Sequence, residues 1–110
     1  MEFGLSQEQR LLQDMTNKFL AEQVSLDTVR KIASKEESDA VIWQGLTELG
    51  IPGIMIPESF GGIGLSTLDA VVIAECLGHH ITPSPFVSSS IMAPVSLIAA
   101  NKEELLSAIA

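Results

Sequence analysis

The chain has one cysteine, six basic residues and, from Cys76 to Asn101, no Asp, Glu, Lys or Arg at all. A single cysteine cannot close an internal disulfide and fits a reducing compartment, so the cytoplasm is the expected location. Six basic side chains against 14 acidic ones leave a formal charge of −8 with no Lys/Arg block. Such a surface repels a phosphate backbone, which excludes nucleic acid as a partner. The N-terminus, Met1-Glu2-Phe3-Gly4-Leu5-Ser6, lacks the apolar run of a secretory signal, and no lipidation motif is present. The uncharged stretch is long enough to raise the question of a membrane span. Gly78, His79, His80, three prolines and Ser88-Ser89-Ser90 interrupt it, so it reads as a buried segment of a soluble domain with no membrane span.

What is present is one domain's worth of chain. Residues 1–110 are enough for a single core that buries about two thirds of the unfolded surface. Hydrophobic residues make up 46 % and charged ones 18 %, a globular balance on the apolar side, and part of that apolar surface is expected to meet a partner.

Helical signals run the length of the chain. Ser6 followed by Gln9 is a capping-box pattern, and Leu5, Leu12, Met15, Phe19 and Leu20 recur at helical spacing, predicting a helix over 7–23. Leu26, Val29 and Ile32 give a shorter stripe that ends in Ser34-Lys35-Glu36-Glu37-Ser38. Ser38 then caps a third helix over 39–49, with Val41, Ile42, Leu46 and Leu49 on its apolar face and Gly50 as its left-handed stop. Ile51 to Pro57 is apolar but bracketed by prolines that cannot join a sheet ladder, so it reads as buried extended chain. Ser66 with Asp69 opens a central helix over 67–77, ended by Gly78. Phe86 to Ala100 is again helical, with Pro94 expected to cost a hydrogen bond to Ser90 and to bend it. Asn101 is expected to cap a last helix over Lys102 to Ile109. With no strand and no internal repeat, the fold class is all-α, an up-down type bundle of five or six helices.

The segment Pro57-Glu58-Ser59-Phe60-Gly61-Gly62-Ile63-Gly64-Leu65-Ser66 runs from apolar chain through three glycines to a helix cap. An apolar run, a glycine-rich loop and a helix N-terminus can build a pyrophosphate site. Here the third glycine of the dinucleotide pattern is missing, no Gly-Lys-Ser/Thr comes after it, and there is no second strand for a βαβ unit. A tight loop reversing the chain between two packed helices is the better reading.

Leu49-Gly50-Ile51, that loop, Asp69 and Glu75-Cys76-Leu77-Gly78, in this order and at this spacing, resemble the acyl-CoA dehydrogenase family. The family pattern reads leucine-glycine, proline-glutamate, aromatic-glycine-glycine-x-glycine, then a helix ending in glutamate-x-leucine-glycine. Pro83-Ser84-Pro85-Phe86 with Ala93-Pro94 looks like the family's fifth-helix region. The resemblance covers Leu5 to Ala110 and only the first, helical domain of three. It implies a parent enzyme in which a β-rich middle domain and a C-terminal helical domain bind flavin adenine dinucleotide (FAD). A glutamate of the C-terminal domain there removes the α-proton of an acyl-CoA thioester. Neither base nor flavin site is assigned on this chain, and alone it is expected to be inactive and to bind no FAD.

The resemblance also implies a site. The helix after the glutamate-x-leucine-glycine turn lines the acyl cavity, and Phe86, Ser89, Ser90 and Ala93 fall on one face of its equivalent here; ordinary packing is the plain alternative. Ser90→Phe is expected to shift preference toward shorter acyl chains. Glu58 and Glu75 are not assigned as bases: the first belongs to the loop, and the second is expected to be held by a structural hydrogen bond. His79-His80 read as a turn rather than a metal site. The implied partners are an acyl-CoA substrate and a homo-oligomer or sister subunit. A non-catalytic helical module, or a subunit docking on a separately encoded flavin domain, is the competing reading.

Overall fold

A serine hydroxyl stands at the start of each of the first four α-helices. In the computed structural model, which describes residues 4–110, α1 spans Gln7–Gln23, α2 Leu26–Ala33, α3 Ala40–Glu48 and α4 Thr67–His79. Met1 to Phe3, part of the stretch read for a secretory signal, lie outside the described residues. Ser6 Oγ accepts from the Gln9 N–H at 3.1 Å while its own N–H donates to Gln9 Oε1 at 3.0 Å, a complete capping box. Ser25 accepts from the Thr28 N–H and Ser38 from the Ala40 N–H, each at 3.1 Å. Ser66 accepts from the Asp69 N–H and donates its N–H and hydroxyl to Asp69 Oδ2 at 2.9 and 2.8 Å. α5, Ala93–Ala99, continues without a break from a π-helical segment, Val87–Met92. There is no strand among the described residues, and the chain is all-α.

The helix ends share a design as well. Lys35, Gly50, Ile81 and Asn101 come after α2, α3, α4 and α5, each in the left-handed region with φ of 66°, 80°, 50° and 57°. At Ile81 the N–H returns to the Gly78 carbonyl and the Thr82 N–H to the Leu77 carbonyl, the paired bonds of a Schellman ending. Lys35 and Asn101 repeat that pairing.

Gly50 ends its helix as the sequence predicts, but Gly78 does not. It lies inside α4, and the left-handed position falls to Ile81, where a β-branched side chain costs about 1–2 kcal/mol. Asn101 is likewise the terminator of α5 and not the cap of a last helix, because asparagine enters this region more readily than most residues. The last segment starts at Lys102 without a side-chain cap and winds as 3-10 turns over Glu103–Ala108.

Ile51, Pro52, Gly53, Ile54 and Ile56 are buried as expected, but they are wound rather than extended. Ile51–Gly53 is a 3-10 turn with Pro52 near its start, where a preset φ and a missing donor do no harm. The residues after it bond with the glycine-rich loop. Ile63, Gly64 and Leu65 donate to the carbonyls of Gly53, Ile56 and Ile54 at 3.0, 2.8 and 2.8 Å.

The core joins Leu20 and Val24 at the end of α1, Ile42 and Leu46 of α3, and Ile51 and Ile54 of the wound segment. Ala70, Ile73, Cys76 and Leu77 of α4 and then Phe86 complete it. Val41, predicted for the apolar face of α3, is instead 70 % exposed. α1 and α4 run in the same direction: the Gln9 side chain reaches the Asp69 carboxylate, and Cys76 Sγ lies 4.0 Å from the Gln13 carbonyl oxygen. Gly45 of α3 brings the third helix close to α1, since the Phe19 ring occupies the space a Cβ would need. The result is a slab of 40 × 35 × 18 Å.

Candidate functional site

α4 enters from the glycine-rich loop and leaves into a groove. The groove has a volume of about 740 Å³, opens to solvent, and lies between the end of α4 and the π segment. Val29 of α2 and Ala74, Leu77 and Gly78 of α4 contribute to it, as do the turn from Ile81 to Pro85 and then Phe86, Val87, Ser88 and Met92. Its size falls within the range of small-molecule sites, and its lining is mostly apolar with a few hydroxyls. Thr82 Oγ1 is buried without a hydrogen-bond partner, so one polar atom of the lining is unsatisfied. The Ser88 hydroxyl is already engaged, donating to the Pro85 carbonyl at 3.2 Å.

The π segment originates at Pro94. Proline has no N–H to give the Ser90 carbonyl, as the sequence predicts. The chain absorbs the loss by shifting its bonding one residue: the Ala93 N–H bonds the Ser88 carbonyl, and Pro94 falls in the first turn of α5, where no donor is needed. A π turn advances less angle per residue than an α turn, so α-helical spacing no longer defines a face here.

That winding decides where the four predicted wall residues lie. Phe86 is buried in the core and lines the groove. Ser90 is fully buried, with its hydroxyl lacking a partner; Ser89 and Ala93 are half-buried; and none of these three is in the groove's lining. Val29, Gly78, Ile81, Thr82 and Met92, which the predicted wall did not include, are. The Pro83-Ser84-Pro85 run was the available signal, because residues before proline are held extended and can bridge two helices at a distance.

No acid–base centre forms nearby. Glu58 and Glu75 are exposed, so neither carboxylate is desolvated into a general base, and Glu75 faces solvent instead of a structural partner. Cys76 is buried; burial pushes its thiol above the ordinary value and the Glu75 charge adds to the effect, which describes an inert side chain. His79 ends α4 and His80 caps it, their rings edge to face at 5.1 Å. Among the described residues no three His, Cys, Asp or Glu side chains converge as metal ligands, and no helix is long and apolar enough to cross a membrane.

The glycine-rich loop cannot cradle a pyrophosphate. The N–H groups of Gly61, Gly62, Ile63, Gly64 and Leu65 all donate to carbonyls of the chain itself, those of Glu58, Pro57, Gly53, Ile56 and Ile54. Backbone donors of this kind are what a flavin's phosphates require, and here they are committed. The loop therefore has no free backbone donors from Gly61 to Leu65 to offer the phosphates of FAD.

The whole chain matches a known pattern. Residues 6–109 match the family model described as acyl-CoA dehydrogenase, N-terminal domain. The chain is 31 % identical over 108 residues to the acyl-CoA dehydrogenase IpdE2 of Mycolicibacterium smegmatis, covering 96 % of this chain and 34 % of that protein. It is 35 % identical over 76 residues to the (2S)-methylsuccinyl-CoA dehydrogenase of Cereibacter sphaeroides, covering 69 % and 14 %. To the mitochondrial isovaleryl-CoA dehydrogenase of Pongo abelii it is 37 % identical over 73 residues, covering 66 % and 17 %. The chain spans about a third of the length of the IpdE2 relatives it matches. No solved structure matches it.

Proposed function

This chain belongs to the acyl-CoA dehydrogenase family as its N-terminal helical domain, and from that premise we propose that it supplies one wall of the acyl pocket in a flavin-dependent α,β-dehydrogenation of an acyl-CoA thioester. The observation that carries this reading is the apolar groove beside Phe86. Its work is binding: each methylene taken from water into such a surface contributes about 0.8 kcal/mol. Phe86 forms part of the wall. Ser89, Ser90 and Ala93 back it from the same continuous helix.

FAD supplies the hydride acceptor in this reaction, and both it and the general base are held outside residues 1–110. The exposed carboxylates and the committed loop donors support that division. Alone, the chain is therefore inactive and binds no flavin; stoichiometric FAD on the isolated 110 residues would overturn the assignment. The same reading makes residues 1–110 a single domain of a cytoplasmic protein that works as a homo-oligomer or with a sister subunit. Leu68 and Val71 of α4, 69 % and 53 % exposed and outside the groove, support such packing.

A helical subunit that docks on a separately encoded flavin domain would use the same surfaces. Reading the frame beyond Ala110 separates the two. The wall itself is tested with Met92→Trp in the complete flavoprotein. Met92 is 61 % exposed in the groove, so the ring is tolerated, and the acyl-chain preference shifts toward shorter substrates. An unchanged chain-length profile would sink the assignment. Ser90→Phe is the poorer probe, because a fully buried serine reports packing before it reports substrate.

A further inference from the structure

Two neighbouring residues of the groove contradict the backbone they occupy. Gly78 sits within α4, where glycine is the worst ordinary helix former, and neither usual reason for a glycine applies. Its φ is not in the left-handed region, and a Cβ built on it would meet no atom within 4 Å. Three residues later, the left-handed position that favours glycine is filled by Ile81, whose φ is 50°. Local stability alone would have placed the two residues the other way round. Both line the same groove, and the side chain of Ile81 is 61 % exposed, so packing in the core does not explain its choice either.

Local rules broken in pairs at one surface mark a shape held for use. We propose that Gly78 and Ile81 are specificity-determining residues: the side chain missing at Gly78 leaves room in the groove, the side chain present at Ile81 borders it, and together they set the girth of acyl chain that fits. This rests on the acyl-wall reading and adds which residues gauge the substrate. The open space over Gly78 is groove, so a side chain there projects into the volume an acyl group would fill, without disturbing α4.

The test pairs stability with binding. Wild type, Gly78→Ala, Gly78→Leu and Ile81→Gly are compared by melting temperature and by amide chemical-shift titration of the 110-residue chain with octanoyl-CoA, with free CoA as the control. Octanoyl-CoA, and not CoA, is expected to shift the amides of Leu77, Thr82 and Met92. Gly78→Ala is expected to raise Tm by roughly 2–5 °C, and Gly78→Leu to weaken octanoyl-CoA by about tenfold or more. Ile81→Gly is expected to keep or raise Tm while changing the affinity severalfold. If wild type binds and Gly78→Leu binds within about twofold of it, the gauge is wrong and the wall stands. If wild type shows no acyl-dependent shift, the gauge fails, and the wall reading is decided separately by the Met92→Trp chain-length profile of the complete flavoprotein. A lower Tm for Gly78→Ala would reveal a structural need for the glycine and overturn the inference.

Discussion

At the N-terminal end of α4, glycine stands wherever the backbone asks for it: Gly61 and Gly64 have φ of 91° and 73°, and Gly62 lacks the Cβ that would overlap the Ile56 carbonyl. At the C-terminal end, Gly78 stands where no constraint exists and Ile81 where glycine is favoured. The first end also carries a full capping box, whereas the second closes on a strained residue beside an unsatisfied Thr82 hydroxyl. One helix therefore has an end built for stability and an end that gives stability up. The difference supports the proposed acyl wall at the C-terminal end, although the family signature is densest at the N-terminal one.

The comparison can be broken most sharply at Gly62. Gly62→Ala forces the Ile56 backbone to move and should cost about 3 kcal/mol, read as a lower urea midpoint at unchanged m. A loss below about 1 kcal/mol would show that the loop yields and the N-terminal end is less constrained than its bonds imply. Ser66→Ala removes the cap and should cost about 1 kcal/mol. Of opposite sign, Ile81→Gly should gain about 0.5–1 kcal/mol, the relief of the left-handed strain less the added freedom of the unfolded chain; a loss would place the two ends under the same rule.

The smallest effect is a pH dependence at the capping box. The Ser66 backbone N–H holds the Asp69 carboxyl below its ordinary value, so Asp69 stabilises the fold above the unfolded-state pKa of about 3.9 and loses that contribution as pH falls through the lower folded value. Unfolding of Asp69→Asn should accordingly show a shallower decline than wild type as the solution is acidified below about pH 5. Equal slopes would remove the carboxylate from the capping account.

More of the N-terminal end than of the C-terminal end was legible in the sequence, for a physical reason. Capping boxes at Ser6 and Ser66 and the stop at Gly50 are local: residues a few positions apart satisfy each other's backbone, so spacing reveals them. The lost bond at Pro94 was equally legible, but the shift to π winding was not, because the choice between a bend and a changed register depends on what the helix packs against. With that shift Phe86, Val87 and Met92 line the groove, while Ser89, Ser90 and Ala93, expected on one face with Phe86, do not. Val29 joins the groove from α2, far away in the chain, and no periodicity within one helix could have placed it there.

The slab is 18 Å thick, and a helix with its side chains is about 10–12 Å across. The other two axes measure 40 and 35 Å, so the domain is a plate, with much of its helical surface on broad outer faces. A rounder chain of this length would gain more from depth, whereas a plate gains from whatever is laid against it. Its melting temperature should therefore depend on assembly as much as on sequence, rising when a neighbour covers a face and falling when the plate stands alone.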